Sequence, residues 1–178
     1  MHYLYHFVPD DMRGDMLYPL NQLKTVEPEI YEKHIAKYAG REHITEMRIL
    51  PLDCLWNDVL HFSAVHPNIV REALIEAGTP LQWRIDYFEI DPHLLDPKHT
   101  TVYLFRDREK GAALTPENFV PYDPDNLEKY AIIPEETKAY YKETLSQGKN
   151  PLTFRGIPHI LYKGTIDVRQ SGIKRLKL

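Results

Sequence analysis

Only one cysteine, Cys54, occurs among the 178 residues of this chain. An internal disulfide and a metal cage of several thiolates both need more. Nothing in "LDCLWND" lowers a thiol pKa, so Cys54 reads as a small buried apolar residue rather than a nucleophile. Long apolar runs are also missing: none approaches the roughly 18 residues of a membrane-spanning helix. The opening "MHYLYHFVPDDMRGD" lacks the basic start, apolar stretch and small-residue cleavage site of a secretory signal, and a cytoplasmic location with no membrane partner is expected. Excess positive charge is absent as well, since 22 Lys and Arg against 26 Asp and Glu leave a net charge of −4. That balance disfavours binding of duplex nucleic acid by phosphate neutralisation. Lys174, Arg175 and Lys177, with Arg169, form one local basic stretch that reads as a solvated tail. No G-x-G-x-x-G, phosphate-loop, H-E-x-x-H or G-x-S-x-G stretch is present, so the common nucleotide, metalloprotease and hydrolase signatures are missing.

The chain length suits one domain, residues 1–178, with a core of ordinary size. The 14 prolines are scattered and punctuate short elements. "HYLYHFVP" is aromatic-rich, ends at Pro9 and predicts a strand. Residues 10–28 read as an irregular loop containing Gly14 and two prolines. A helix follows in "EPEIYEKHIAKYAGREH", started by Pro28, with Ile30, His34, Ile35 and Tyr38 near one face and Gly40 at or near its end. "DVLHFSAV" predicts a strand, "HPNIVREALIEAG" a helix, "WRIDYFEIDP" and "TTVYLF" strands, and "PEETKAYYKETLSQG" a third helix that Gly148 stops. "PHILYKGTIDV" supplies two late strands around Lys163-Gly164. Strands and helices do not alternate strictly. The expected class is therefore α+β, a mixed or split antiparallel-rich sheet with about three packed helices, rather than a Rossmann-type parallel sheet.

Nine histidines are many for this length. His61 and His66 lie at a spacing that does not put two imidazoles on one helix face, and no metal site is assigned. The stretch "CLWNDVLHFSAVHP" concentrates Trp56, Asn57, Asp58, His61, Ser63 and His66. On a strand His61 and Ser63 point together, with Leu60 and Phe62 opposite. Two readings stay open for that polar face: a solvated strand surface anchored by Trp56, or one wall of a ligand cleft. His61 and Ser63 show neither the supporting acid nor the exposed elbow of a serine hydrolase.

The block order resembles the ADP-ribosyltransferase-like fold, the NAD-using group that includes the RNA 2′-phosphotransferases. The likeness rests on "LYHF" (4–7) followed by Gly14 and "LYPL", on "LHFSAVHPNIVREALIEAG", and on "YFEIDPHLLDPKHTTVYLF". It implies NAD or a related nucleotide as ligand, with His6 on the nicotinamide-side ribose, Tyr18 or Tyr38 stacked on the nicotinamide ring, and Asn57 and Ser63 among the binding residues. His6, His61 and His159 are the candidate catalytic residues. The family's late-strand glutamate has no counterpart, because "IPHILYKG" offers His159 there. Arg13, Arg155 and Arg169 are candidates for the arginine that serves the phosphotransferases. The resemblance thus implies a nucleotide-using transferase with an unassigned acceptor, and the alternative is a non-catalytic nucleotide- or partner-binding module.

Overall fold

The computed structural model describes residues 2–79, 86–105 and 112–177. The strands are β1 (Leu4–Phe7), β2 (Met16–Leu17), β3 (Arg48–Ile49), β4 (Cys54–Leu55), β5 (Leu60–Phe62), β6 (Asp86–Ile90), β7 (Thr100–Tyr103), β8 (Phe119–Pro121), β9 (His159–Tyr162), β10 (Ile166–Asp167) and β11 (Ile173–Lys177). The α-helices are α1 (Leu20–Val26), α2 (Pro28–Ile35), α3 (Pro67–Glu76) and α4 (Glu135–Ser146). The result is a mixed α+β arrangement of antiparallel sheets, none closed among the described residues. One sheet runs β1-β6-β11 and another β5-β9-β7-β8, with the short pairs β10-β2 and β3-β4 beside them.

The two larger sheets meet at one point. Tyr5 and Ser63 exchange backbone hydrogen bonds, N–H to O at 2.8 and 3.1 Å, an isolated antiparallel bridge between β1 and the end of β5. Beyond it the strands part. Phe7 lies two residues past Tyr5 and so turns its carbonyl toward the same edge, and there the carbonyl accepts instead from Nδ1 of His6 at 2.6 Å. The largest core cluster lies against this junction, with Leu4, Ile90 and Ile160 wholly buried. Each such side chain contributes about 1.5–3 kcal/mol by leaving water.

Several sequence expectations change. Residues 10–28 are not an irregular loop, because β2 and α1 lie within them. The helix α1 is only seven residues long, follows Pro19 and carries no acid in its first turn. Its stabilisation comes from packing against α2, which a propensity reading does not see. Among the described residues the α-helices are four, where about three are expected. α2 ends at Ile35 and tightens into a 3₁₀ turn over Ala36–Tyr38, short of Gly40. The basic carboxy-terminal stretch is not a solvated tail: β11 pairs with β6, and Arg175 donates to Asp86 at 2.6 Å. The "WRI" of the predicted strand run "WRIDYFEIDP" lies outside the described residues.

Upstream of β9 the chain makes a tight bend at Gly156, whose φ is +82°. A Cβ there would sit 2.4 Å from the hydroxyl of Thr137, which is 2 % exposed and donates to the Arg155 carbonyl. The bend places the Ile157 carbonyl where His159 Nδ1 donates to it at 2.7 Å. Gly156→Ala is accordingly expected to destabilise the fold by about 1–3 kcal/mol, combining left-handed backbone strain with the clash. An unchanged chemical-denaturation midpoint would contradict this account of the bend.

Candidate functional site

Where β1 and β5 separate, a cleft of about 250 Å³ opens. One wall is strand and turn: His6, Asn57, Val59, Leu60 and His61. The facing wall comes from α1, α2 and the following turn, through Leu20, Leu23, Ile30, His34 and Tyr38, and β2 closes a side with Met16 and Leu17. Tyr18 also lines it. The interior is mostly apolar with a few polar groups, the usual make-up of a small-molecule site.

The turn bearing Asn57 is fastened on both sides. Asp58 accepts from the Leu55 N–H at 2.7 Å and from the Asn21 amide on α1 at 2.7 Å. Asn57 itself is 2 % exposed, and its Oδ1 accepts from the Tyr38 hydroxyl at 2.9 Å. Its Nδ2 has no partner among the described residues. An unpaired buried donor costs about 1–3 kcal/mol, so this atom is conspicuous in a cleft wall.

Each of the three candidate histidines spends one ring nitrogen on a backbone carbonyl. His6 Nδ1 donates to Phe7, His159 Nδ1 to Ile157, and His61 Nε2 to the Trp56 carbonyl at 3.0 Å. A neutral imidazole donating from one nitrogen holds a lone pair on the other, so the set offers acceptors, suited to hydroxyl donors of a ligand. Burial pushes the pKa of all three down; for His61 burial, then the nearby His159 and His6, bring it to about 3. The rings of His61 and His159 meet edge-on, with centroids 6.1 Å apart, and Trp56 packs on His61 at 4.7 Å.

The structure brings together five of the sequence candidates, His6, Tyr18, Tyr38, Asn57 and His61, on one cleft. His159 is not among its lining residues and stands behind His61, whose ring it touches. Ser63 does not join the polar face expected of it. It is 6 % exposed and its hydroxyl accepts from the Val65 N–H at 3.0 Å, a local turn-forming role just past the end of β5. Arg13 stands at the rim, paired with Glu27 at 3.0 Å and Glu29 at 3.1 Å. Arg155 lies over the Tyr140 ring and Arg169 pairs with Asp167, neither lining the cleft. Cys54 is buried and its thiol is pushed up to about 11, chiefly by that burial.

The charged rim escaped the sequence reading. Asp11 accepts from Lys33 at 2.7 Å and from His34 Nε2 at 2.9 Å, while Lys37 donates to His34 Nδ1 at 2.9 Å. The Lys33 hydrogen bond, assisted by His34, holds the Asp11 carboxyl near 2 against the opposing effect of burial. The available signal was the acid pair after Pro9, but its partners lie on a helix 22 and 23 residues away. Among the described residues no group of three or more His, Cys, Asp or Glu is placed to hold a metal ion, and no helix is long and apolar enough to cross a membrane. No family model, curated protein or solved structure matches the chain.

A pH dependence follows from the imidazoles. Below pH 6.5 the unfolded chain takes up protons that His61, with its pKa near 3, refuses in the fold, so stability falls as pH drops through this window. His61 alone costs about 2 kcal/mol at pH 5 relative to pH 7, and His6 and His159 act in the same direction. Urea unfolding at the two pH values should show the loss, and His61→Gln should lessen it. Equal stability at both would contradict the buried neutral assignment.

Proposed function

We propose that the cleft binds a nucleotide of the NAD class and that the chain is a nucleotide-using transferase of the ADP-ribosyltransferase-like type acting on an acceptor yet to be identified. The observation that carries this reading is the position of the cleft: it opens at the break between β1 and β5, and His6, Tyr18, Tyr38, Asn57 and His61 line it together. The residues fit the ligand class in kind. Imidazole lone pairs accept from sugar hydroxyls, the tyrosines offer faces for a planar ring, and the unpaired Asn57 amide offers a donor in a mostly apolar space. NAD, when bound, supplies an ADP-ribosyl group through a labile bond from ribose to nicotinamide. In this reading His6, its Nδ1 fixed on the Phe7 carbonyl, holds a ribose hydroxyl with Nε2 and orients the sugar. The apolar walls of Leu20, Leu23, Ile30 and Leu60 exclude water.

A second reading has its own support. The late strand carries His159 where the resembled family has a glutamate to steady a developing cation. The carboxylates lining the cleft, Asp11 and Glu27, are engaged with Lys33 and Arg13. That arrangement favours binding without cleavage.

Two measurements separate these readings. NAD or ADP-ribose at millimolar concentration is expected to raise the melting temperature by a few degrees, through mass action on the folded state. His6→Ala should remove the shift while the variant still unfolds cooperatively. No shift for the wild type sinks both readings, and a variant that does not fold makes His6 a core residue. Release of free nicotinamide from NAD then marks the transferase; a pure binder releases none.

A further inference from the structure

The Asn57 amide combines two features that normally exclude each other: it is almost wholly buried, yet half of it is unpaired. Its oxygen accepts from the Tyr38 hydroxyl at 2.9 Å. A phenol whose hydrogen goes to Oδ1 leaves Nδ2 as the free end, and Nδ2 carries two N–H donors. The turn beneath is held by Asp58 through Leu55 and Asn21, and swinging the amide away would break its bond to Tyr38. A core asparagine of purely structural use would satisfy both ends. This one lines the cleft, beside two tyrosines and two imidazoles whose free nitrogens are acceptors. Among these polar groups Asn57 Nδ2 is the donor held in place by its surroundings.

We infer that Asn57 determines specificity for the ligand's planar group, its Nδ2 donating to a carbonyl oxygen on that ring while Tyr38 acts as a positioning residue that pins the amide. This rests on the nucleotide reading above and adds to it the atom that is recognised. For an NAD-class ligand the recognised atom is the carboxamide oxygen of the nicotinamide. A site built around a buried donor rejects a ligand that cannot supply the acceptor, because the donor is then left unpaired in the complex.

Calorimetric or fluorescence titration with NAD and two analogues tests this without any turnover. The 3-acetylpyridine analogue keeps the carbonyl oxygen and loses the amide nitrogen; the thionicotinamide analogue replaces the oxygen with sulfur, a weaker acceptor. The wild type is expected to bind NAD and the acetylpyridine analogue alike and the thio analogue about three- to tenfold more weakly, the worth of one neutral hydrogen bond. Asn57→Asp, which keeps the shape and the acceptor for Tyr38 but removes the donor, should weaken NAD and abolish the preference. Tyr38→Phe should narrow the preference by freeing the amide, whereas a merely structural role would weaken all three ligands equally. This second variant keeps the test open if Asn57→Asp fails to fold. Equal wild-type affinity for the three ligands, or a preference that survives in both variants, overturns the inference while leaving the nucleotide reading intact. No binding of any of the three by the wild type overturns that reading and this inference together.

Discussion

Two hydrogen bonds between Tyr5 and Ser63 join the sheets, and their not being followed by a third pair makes the cleft possible. Had β1 and β5 continued as a ladder, the Phe7 carbonyl would have been committed to β5. Instead His6 Nδ1 satisfies it, so the backbone at the break is paired without closing the gap. The same bond selects the tautomer of His6. One local solution therefore parts the strands, stabilises the exposed edge and decides which face of an imidazole is left for a ligand.

The surroundings maintain that opening from both sides. On the strand side, Trp56 packs against His61 and receives the His61 Nε2–H at its carbonyl, so the second imidazole is fixed with the opposite nitrogen free. On the helix side, Asn21 and Tyr38 reach across to Asp58 and Asn57 and tie α1 and the 3₁₀ turn after α2 to the turn before β5. These contacts join segments far apart in sequence, and they keep polar groups inside an apolar space in single orientations. The cost is borne at Asn57, whose Nδ2 is left without a protein partner. Such a group costs about 1–3 kcal/mol wherever it is buried.

Much of the fold was legible because it is local. Pro67 and Gly78 bracket α3, Gly148 follows α4, alternate Tyr5 and Phe7 mark β1, and adjacent Tyr87 and Phe88 mark β6. What the sequence concealed is nonlocal. α1 is too short to declare itself by periodicity, and β11 looks like a charged tail until β6 is beside it. At the site, the residue types of "LYHF" and "CLWNDVLHF" pointed to His6, Asn57 and His61. Strand alternation misled for Ser63, since β5 ends at Phe62 and the Ser63 hydroxyl turns back to its own chain. Asp11 and its cationic partners were invisible because the pairing bridges a predicted loop and a helix. The ligand class comes from a resemblance in block order and is a proposal.

His6 and His61 form neutral, oppositely tautomeric walls of one cleft. Nuclear magnetic resonance of nitrogen-labelled histidine side chains, recorded at neutral pH with and without ADP-ribose, tests it most directly. The account predicts an Nδ1–H form for His6, an Nε2–H form for His61, and ligand-induced shifts at the unprotonated nitrogen of His6. Protonated rings, a common tautomer, or spectra unmoved by saturating ligand would contradict it.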